Sequence, residues 1–435
     1  MRARVPGDKS LTQRALILAS LAEGESRLAG LLHGGDAAST AKALRSLGAE
    51  IPPLPPEGGE VIIRGVGLRG LCAPKARLDL RNSGTGTRLL MGVLAGCEAE
   101  ATLTGDTSLR QRPMARVIDP LSKMGARFRY LGEVGRLPVR VHGRRPLQAI
   151  DWPSQVASAQ VKSSILLAGL TGGAFALVTE PRQSRDHTER LFRSVGVSVV
   201  EHAVGDGWRV EMRDPPAVIR PLDLHVPGDI SSAAFLFAAA AMGGAGDEGV
   251  TVEHVGLNPT RTAFLDVLER MGARIDIELQ PGSDAPDREP VGQVTVRPGG
   301  LRATTVQGRE IPRLIDELPL IAVLGARAVG TTRISDAEEL RTKESDRIDA
   351  VVRNLRALGV EVAEYQDGLD VHGTDKPLRG AVRVFRDHRI AMGFGILNTL
   401  RSCTVEVDDP SMADVSFPGF WALMTEVERA GRRSD

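Results

Sequence analysis

The chain has 435 residues, 42% hydrophobic and 25% charged, an ordinary globular composition with room for two or three domains. Its 55 basic residues balance 55 acidic ones and only 3% of residues are aromatic, which argues against a broad basic field for nucleic acid or membrane and against base-stacking platforms. Cys72, Cys97 and Cys403 have neither framework nor CxxC spacing, so no disulfide scaffold or zinc ribbon is expected.

The opening MRARVPGDKS runs straight into a turn, without the apolar stretch of a signal peptide. The longest apolar run, Ala233 to Met242, is about half a bilayer span. A soluble cytoplasmic protein is expected. Further along, one pattern recurs five times: a helix end, a glycine, then an alternating strand. It reads LRSLGAEI (44–51), LSKMGARF (121–128), FRSVGVSV (192–199), LERMGARI (268–275) and LRALGVEV (355–362). Glycine at that place fits a left-handed helix cap, and the alternation fits a half-buried strand.

A second landmark keeps the same period. Polar turns precede small-residue apolar helices at PGDKS (6–10), RNSGTGTR (81–88), QVASAQVKS (155–163), PGDISS (227–232), IPRLIDELP (311–319) and FRDHRIAM (385–392). Their starts are 75, 74, 72, 84 and 74 residues apart, so the chain is expected to hold six α/β repeats, each a strand, a buried helix, a strand, an outer helix and a strand, the sixth lacking its closing helix–Gly–strand. Because the repeats cannot all close locally, the N-terminal strand is expected to join the C-terminal half. The expected domains are 9–226, and 1–8 plus 227–435, with crossover at the proline-rich 214–224. Stretches 52–59 and 281–292 read as surface loops within their repeats.

Helix N-termini carry unpaired N–H groups and partial positive charge, so two domains facing each other would line an anion-binding cleft. The turns carry suitable side chains. Lys9, Ser10 and Arg14 open the first helix. Asn82, Thr85 and Arg88 occupy the second turn, and Ser158, Gln160 and Lys162 the third. Arg110 and Arg112 lie in a loop of the second repeat. Lys343, Glu344 and Arg347 form a K-E-x-x-R cluster with Lys343 and Arg347 on one helical face, and Asp387, His388 and Arg389 open the sixth helix. Singly, such turns are ordinary caps and such clusters ordinary ion-paired faces. Recurrence at one structural position instead suggests a site for small phosphate- and carboxylate-bearing substrates. No metal motif, P-loop or G-x-G-x-x-G is present, so neither metal nor cofactor is expected.

The segments PGDKSLTQRALILASLAEG, NSGTGTRLL, TGDTSLRQRPM, SAQVKSSILLAGL, SRDHTE, VPGDISSAAF, LRTKESDRIDAV and DHRIAM closely resemble the 5-enolpyruvylshikimate-3-phosphate synthase family from residue 5 to about 420. The resemblance implies a two-domain enolpyruvyl transferase fold (an inside-out α/β barrel, three βαβαββ units per domain) that closes around its substrates. It implies transfer of the enolpyruvyl group of phosphoenolpyruvate to the 5-hydroxyl of shikimate 3-phosphate, with loss of phosphate, in the shikimate pathway of aromatic amino-acid biosynthesis. Partners would be these two small molecules, with no nucleic acid or membrane, and the enzyme would be a monomer.

Carried across by motif, Lys9, Ser10, Arg14, Ser158, Gln160, Arg185, Asp316 and Lys343 would bind shikimate 3-phosphate. Lys9, Gly84, Thr85, Arg112, Gln160, Arg347 and Arg389 would bind phosphoenolpyruvate. Asp316 resembles the proton acceptor for the hydroxyl and Glu344 the proton donor to the methylene carbon, with Lys9 and Lys343 completing the catalytic set. The chain departs from the commonest pattern at Ala159, where many members have serine, and in SMADVSFP (411–418), which has no counterpart of a late lysine. Gly86 and Ala159 lean towards the family's second class. The sister UDP-N-acetylglucosamine enolpyruvyl transferases typically have a cysteine in the loop matching 105–113 and asparagine after the lysine, whereas here the loop has none and Ser10 follows Lys9. A non-catalytic anion-binding repeat protein would leave Asp316 and the Lys343–Glu344 pair unexplained.

Overall fold

The computed structural model describes residues 1–433. Six helices are buried along almost their whole length: Lys9–Leu21, Gly84–Ala95, Ala159–Gly172, Ile230–Ala241, Leu318–Gly325 and His388–Gly395. They are apolar nearly all round, the pattern of a helix enclosed in a core rather than laid on one. A second set, Gly35–Ser46, Ala115–Lys123, His187–Ser194, Ala263–Arg270 and Arg347–Ala357, buries one face only. Each of the second set ends two residues before a glycine of positive φ, from 81° at Gly359 to 105° at Gly48 and Gly125. That conformation costs a residue with a Cβ and costs glycine little, so the chain turns there into its hairpin.

Among the described residues the strands form six sheets with one plan. In the second repeat, strand Leu78–Asp79 pairs parallel to Glu100–Thr104 across an inner helix. That strand then pairs antiparallel to Val139–His142, which closes a hairpin with Arg127–Tyr130. The parallel pair and the hairpin recur in the third, fourth and fifth repeats, the fourth taking its parallel strand from the start of the chain. The sixth keeps only the parallel pair Arg379–Val382 and Thr404–Val407, and the helix Phe420–Arg433 ends it.

Two strands are exchanged along the sequence. Arg2–Ala3 pairs parallel to Thr251 and Val252 of the fourth repeat, and Asp223–His225 pairs parallel to Arg27–Ala29 of the first. The chain divides into two compact units, one of residues 7–226 with 284–289, the other of residues 1–6, 227–283 and the chain from 290 onward. Segment 284–289, expected as part of a surface loop of its own repeat, groups with the 7–226 unit, where Glu289 Oε1 lies 2.8 Å from His187 Nδ1. Each unit has its own hydrophobic core around three inner helices. No helix among the described residues is long and apolar enough to cross a membrane.

Candidate active site

In the 7–226 unit the three inner helices each begin on a side-chain cap. Asp8 accepts from Leu11 N–H at 2.8 Å, Ser83 from Gly86 N–H at 3.1 Å and Ser158 from Val161 N–H at 3.5 Å. The turns therefore are caps, as their residue types suggest, and they also carry the candidate binding groups. Polar side chains tie the three ends together. Gln13 donates to Ser83 Oγ, Gln160 donates to Thr85 Oγ1 at 2.9 Å, and Arg88 donates to Gln160 Oε1 at 2.7 Å. Arg14 reaches from the first helix to Thr188 Oγ1 at 2.8 Å and Ser163 Oγ at 3.1 Å.

These bonds sort the cations. Lys9 lies at the start of its helix with Nζ 3.5 Å from Asp36. Arg14 is 4% exposed. Burial pushes its guanidinium down to about 10, Glu189 and Asp8 oppose this, and Arg185 adds a like-charge push in the same direction. Arg112 is not in an open loop: it ends the short helix Thr107–Gln111, capped by Asp106, and donates to Asn82 Oδ1, which fixes it beside Gly84. A Cβ built on Gly84 would lie 2.9 Å from Arg112 Nη1 and 3.0 Å from Arg88 Nη1, so glycine there lets two guanidiniums crowd the helix end. Lys162, expected to face the turn with Ser158 and Gln160, points inward: it is 1% exposed and bonded to Glu180 and Glu189. An ammonium on the fourth residue of an enclosed helix has no route to solvent and takes buried carboxylates instead.

The other unit gathers a second cluster around one buried arginine. Arg347, 1% exposed, donates Nε to Asp387 Oδ2 at 2.8 Å and Nη2 to Glu344 Oε2 at 2.6 Å, and its Nη1 lies 3.5 Å from Asp316 Oδ1. Burial works against its charge, but Asp387, Glu344 and Asp316 outweigh it and raise its pKa. Burial alone would raise Asp387 as well, and the same ion pair holds it below its ordinary value. Asp387 also caps the sixth inner helix through Arg389 N–H. Arg389 closes the group, with Nη2 3.7 Å from Asp316 Oδ2 and Nη1 3.6 Å from Glu317 Oε1. Asp316 thus stands between two guanidiniums at the turn just before helix Leu318–Gly325.

Lys343 and Arg347 do not share a helical face. Asp346 caps a helix that begins at Arg347, by accepting from Asp349 N–H at 3.0 Å, and Lys343 lies before it in extended conformation. Its ammonium meets Glu339 at 2.8 Å. The i,i+4 spacing was real; the cap between the two residues broke the helix.

A sequence model of EPSP synthase (3-phosphoshikimate 1-carboxyvinyltransferase) matches residues 2–424. The chain belongs to the EPSP synthase family. It is 47% identical to a 3-phosphoshikimate 1-carboxyvinyltransferase of Gloeobacter violaceus, over 98% of this chain and 96% of the relative. It is 48% identical to one of Thermus thermophilus, over 97% and 94%. Among solved structures, EPSP synthase from Acinetobacter baumannii superposes with a TM-score of 0.83 at 36% identity, covering 98% of this chain and 95% of that one. The enolpyruvyl transferase NikO of Streptomyces tendae shares the fold at a TM-score of 0.75 and 18% identity, covering 98% and 94%. The two-domain enolpyruvyl transferase fold is therefore the fold of this chain.

Beyond the EPSP synthase motifs, the geometry adds supporting residues that the sequence reading left without a role. Arg88 holds Gln160, Asp387 holds Arg347, and Glu317 stands beside Arg389. Asp387 and Arg347 are 40 residues apart in sequence, so no local spacing could have joined them. Arg88 did carry a signal, as a cation four residues into an otherwise apolar helix.

Proposed function

We propose that this chain transfers the enolpyruvyl group of phosphoenolpyruvate to the 5-hydroxyl of shikimate 3-phosphate, a reading supported by its membership of the 3-phosphoshikimate 1-carboxyvinyltransferase family, and that its two clusters divide the work. The observation that carries the residue assignment is that Asp316 and Glu344 both reach the guanidinium of Arg347. A base, an acid and an anion clamp then share one centre, as addition of an alcohol across an enol requires.

Lys9, Ser10, Arg14, Ser158, Gln160 and Arg185 bind shikimate 3-phosphate, joined by Asp316 and Lys343. Ser158 uses its oxygen as a cap acceptor and so keeps its O–H proton for a phosphate oxygen. Arg112, Arg347 and Arg389 clamp phosphoenolpyruvate, with Lys9, Gly84, Thr85 and Gln160 as further contacts. Asp316 takes the proton of the 5-hydroxyl as its oxygen adds to C2, and Glu344 protonates the methylene carbon. The tetrahedral adduct collapses with the roles reversed, and the departing phosphate leaves against arginine and lysine charge. Arg347 donates to Glu344 at 2.6 Å, so an anionic substrate on Arg347 competes with that carboxylate for the guanidinium.

One chain supplies every group named, which supports action as a monomer. Multiply charged substrates that do not cross a bilayer unaided support action in the cytoplasm. The test mixes the protein with both substrates and assays phosphate. Turnover with shikimate 3-phosphate is expected, with Asp316→Ala and Glu344→Gln retaining binding but losing at least about a hundredfold in kcat. Phosphate release with UDP-N-acetylglucosamine instead would overturn the acceptor, and unchanged kcat in both variants would overturn the acid and base.

A further inference from the structure

The groups assigned above leave a buried ion cluster unused. Lys162 Nζ lies 3.0 Å from Glu180 Oε2 and 2.8 Å from Glu189 Oε1, with all three side chains at most 1% exposed. Burial pushes Glu189 up to about 6, against the pull of Lys162. Such a cluster is weak evidence of stabilisation, because apolar residues of equal volume often serve as well. Its location is more informative. Glu180 ends the strand Ala176–Glu180, and its carboxylate gathers two separate turns. Oε1 accepts from Ser158 N–H at 2.9 Å and from the Ser184 hydroxyl at 2.7 Å. Oε2 accepts from Ser184 N–H at 3.3 Å and from the same hydroxyl at 2.8 Å. One rigid strand end therefore holds both the turn that bears Ser158 and Gln160 and the turn that bears Arg185.

We infer that Glu180, anchored by Lys162, is a positioning residue that sets Ser158 and Arg185 at the separation needed to grip the phosphate of shikimate 3-phosphate. The inference rests on the assignment of those two residues to that substrate. Every group facing the carboxylate is a donor: two N–H groups, a hydroxyl and an ammonium. A glutamine of the same size must turn its own NH2 against one of them, so Glu180→Gln breaks the arrangement without changing volume. Lys162 then keeps Glu189 as a single balancing charge, so no uncompensated ion is left buried.

The experiment titrates shikimate 3-phosphate, and separately shikimate, into the full-length protein and into Glu180→Gln by calorimetry, with steady-state kinetics and melting curves alongside. Affinity for shikimate 3-phosphate is expected to fall by about tenfold or more, the scale of a lost charge-assisted hydrogen bond. Affinity for shikimate should change less than about twofold, and kcat at saturating substrate less than about threefold, because the reacting groups are untouched. Equal loss for both ligands, or a fall in kcat tracking a lowered melting temperature, would reveal a merely structural role and overturn the inference. Unchanged affinity would overturn it as well. Failure of the unsubstituted protein to bind shikimate 3-phosphate would instead overturn the substrate assignment. Should Glu180→Gln not fold, Ser184→Ala, which removes only the hydroxyl, is expected to weaken shikimate 3-phosphate about threefold, and an unaltered affinity there would count against Glu180.

Discussion

Gly84 shows how one missing methyl group shapes the candidate site. Arg112 and Arg88 both press on the space its Cβ would fill, at 2.9 and 3.0 Å. Alanine at this position must push the guanidiniums, which are the mobile ends of long side chains, rather than the backbone. The helix should therefore survive while the clamp shifts. Gly84→Ala is expected to raise KM for phosphoenolpyruvate about tenfold, a displaced ionic contact being worth about 1–2 kcal/mol, with affinity for shikimate 3-phosphate retained. Steady-state kinetics with each substrate varied in turn would check this, and an unaltered phosphoenolpyruvate KM would mean that Arg112 does not contact that substrate. At this scale the sequence was informative about residue types and poor on partners. Lys9 and Arg14 were legible as cations of a helix start, and Arg112 as a cation but not as the end of a helix; that Lys162 turns inward to Glu180 and Glu189 was not legible, because its neighbours in sequence look the same either way.

Among the elements, the inner helices are the least tolerant of volume. Gly92 sits where Gly84–Ala95 crosses Ala159–Gly172, and a Cβ there would lie 2.3 Å from the Ser164 carbonyl oxygen and 2.7 Å from its Cα. Those are backbone atoms of a packed helix and cannot swing aside. Gly92→Ala should cost about 3 kcal/mol, the upper part of the usual range for overpacking. Gly393, in the inner helix His388–Gly395, has nothing within 4 Å of its virtual Cβ. Alanine there should be neutral or add up to about 1 kcal/mol from helix propensity alone. Chemical denaturation of the pair separates packing from propensity, and equal effects would show that the helix crossing is not the constraint. The periodic glycine at each outer helix end was readable because one residue type solves one backbone problem. The break between Lys343 and Arg347 was less readable, since Asp346 can be a cap or a mid-helix residue and only the fold selects.

For the whole molecule, chain order and sheet order disagree at two places, Arg2–Ala3 and Asp223–His225. Deleting residues 2–5 removes a strand from the sheet that holds Val250–Gly256, together with the Val5 side chain packed against Gly228, although these residues lie some 250 positions away. Amide exchange should lose protection in Val250–Gly256 and keep it in Glu23–Ala29, whose parallel partner Asp223–His225 is intact. Protection lost equally in both strands, or in neither, would show that the N-terminal strand does not specifically support that sheet.

The sequence by itself determined the repeats, the helix ends and the family. These depend on local rules: glycine where φ is positive, small apolar residues where a helix is enclosed, and motif residues in order. It also supplied the acid, base and clamp residues as candidates. Only the tertiary structure decided which of them meet. Arg347 became the hub of Asp316, Glu344 and Asp387, and Glu180 the tie between two turns, because charges that must leave water together find partners by packing and not by spacing along the chain.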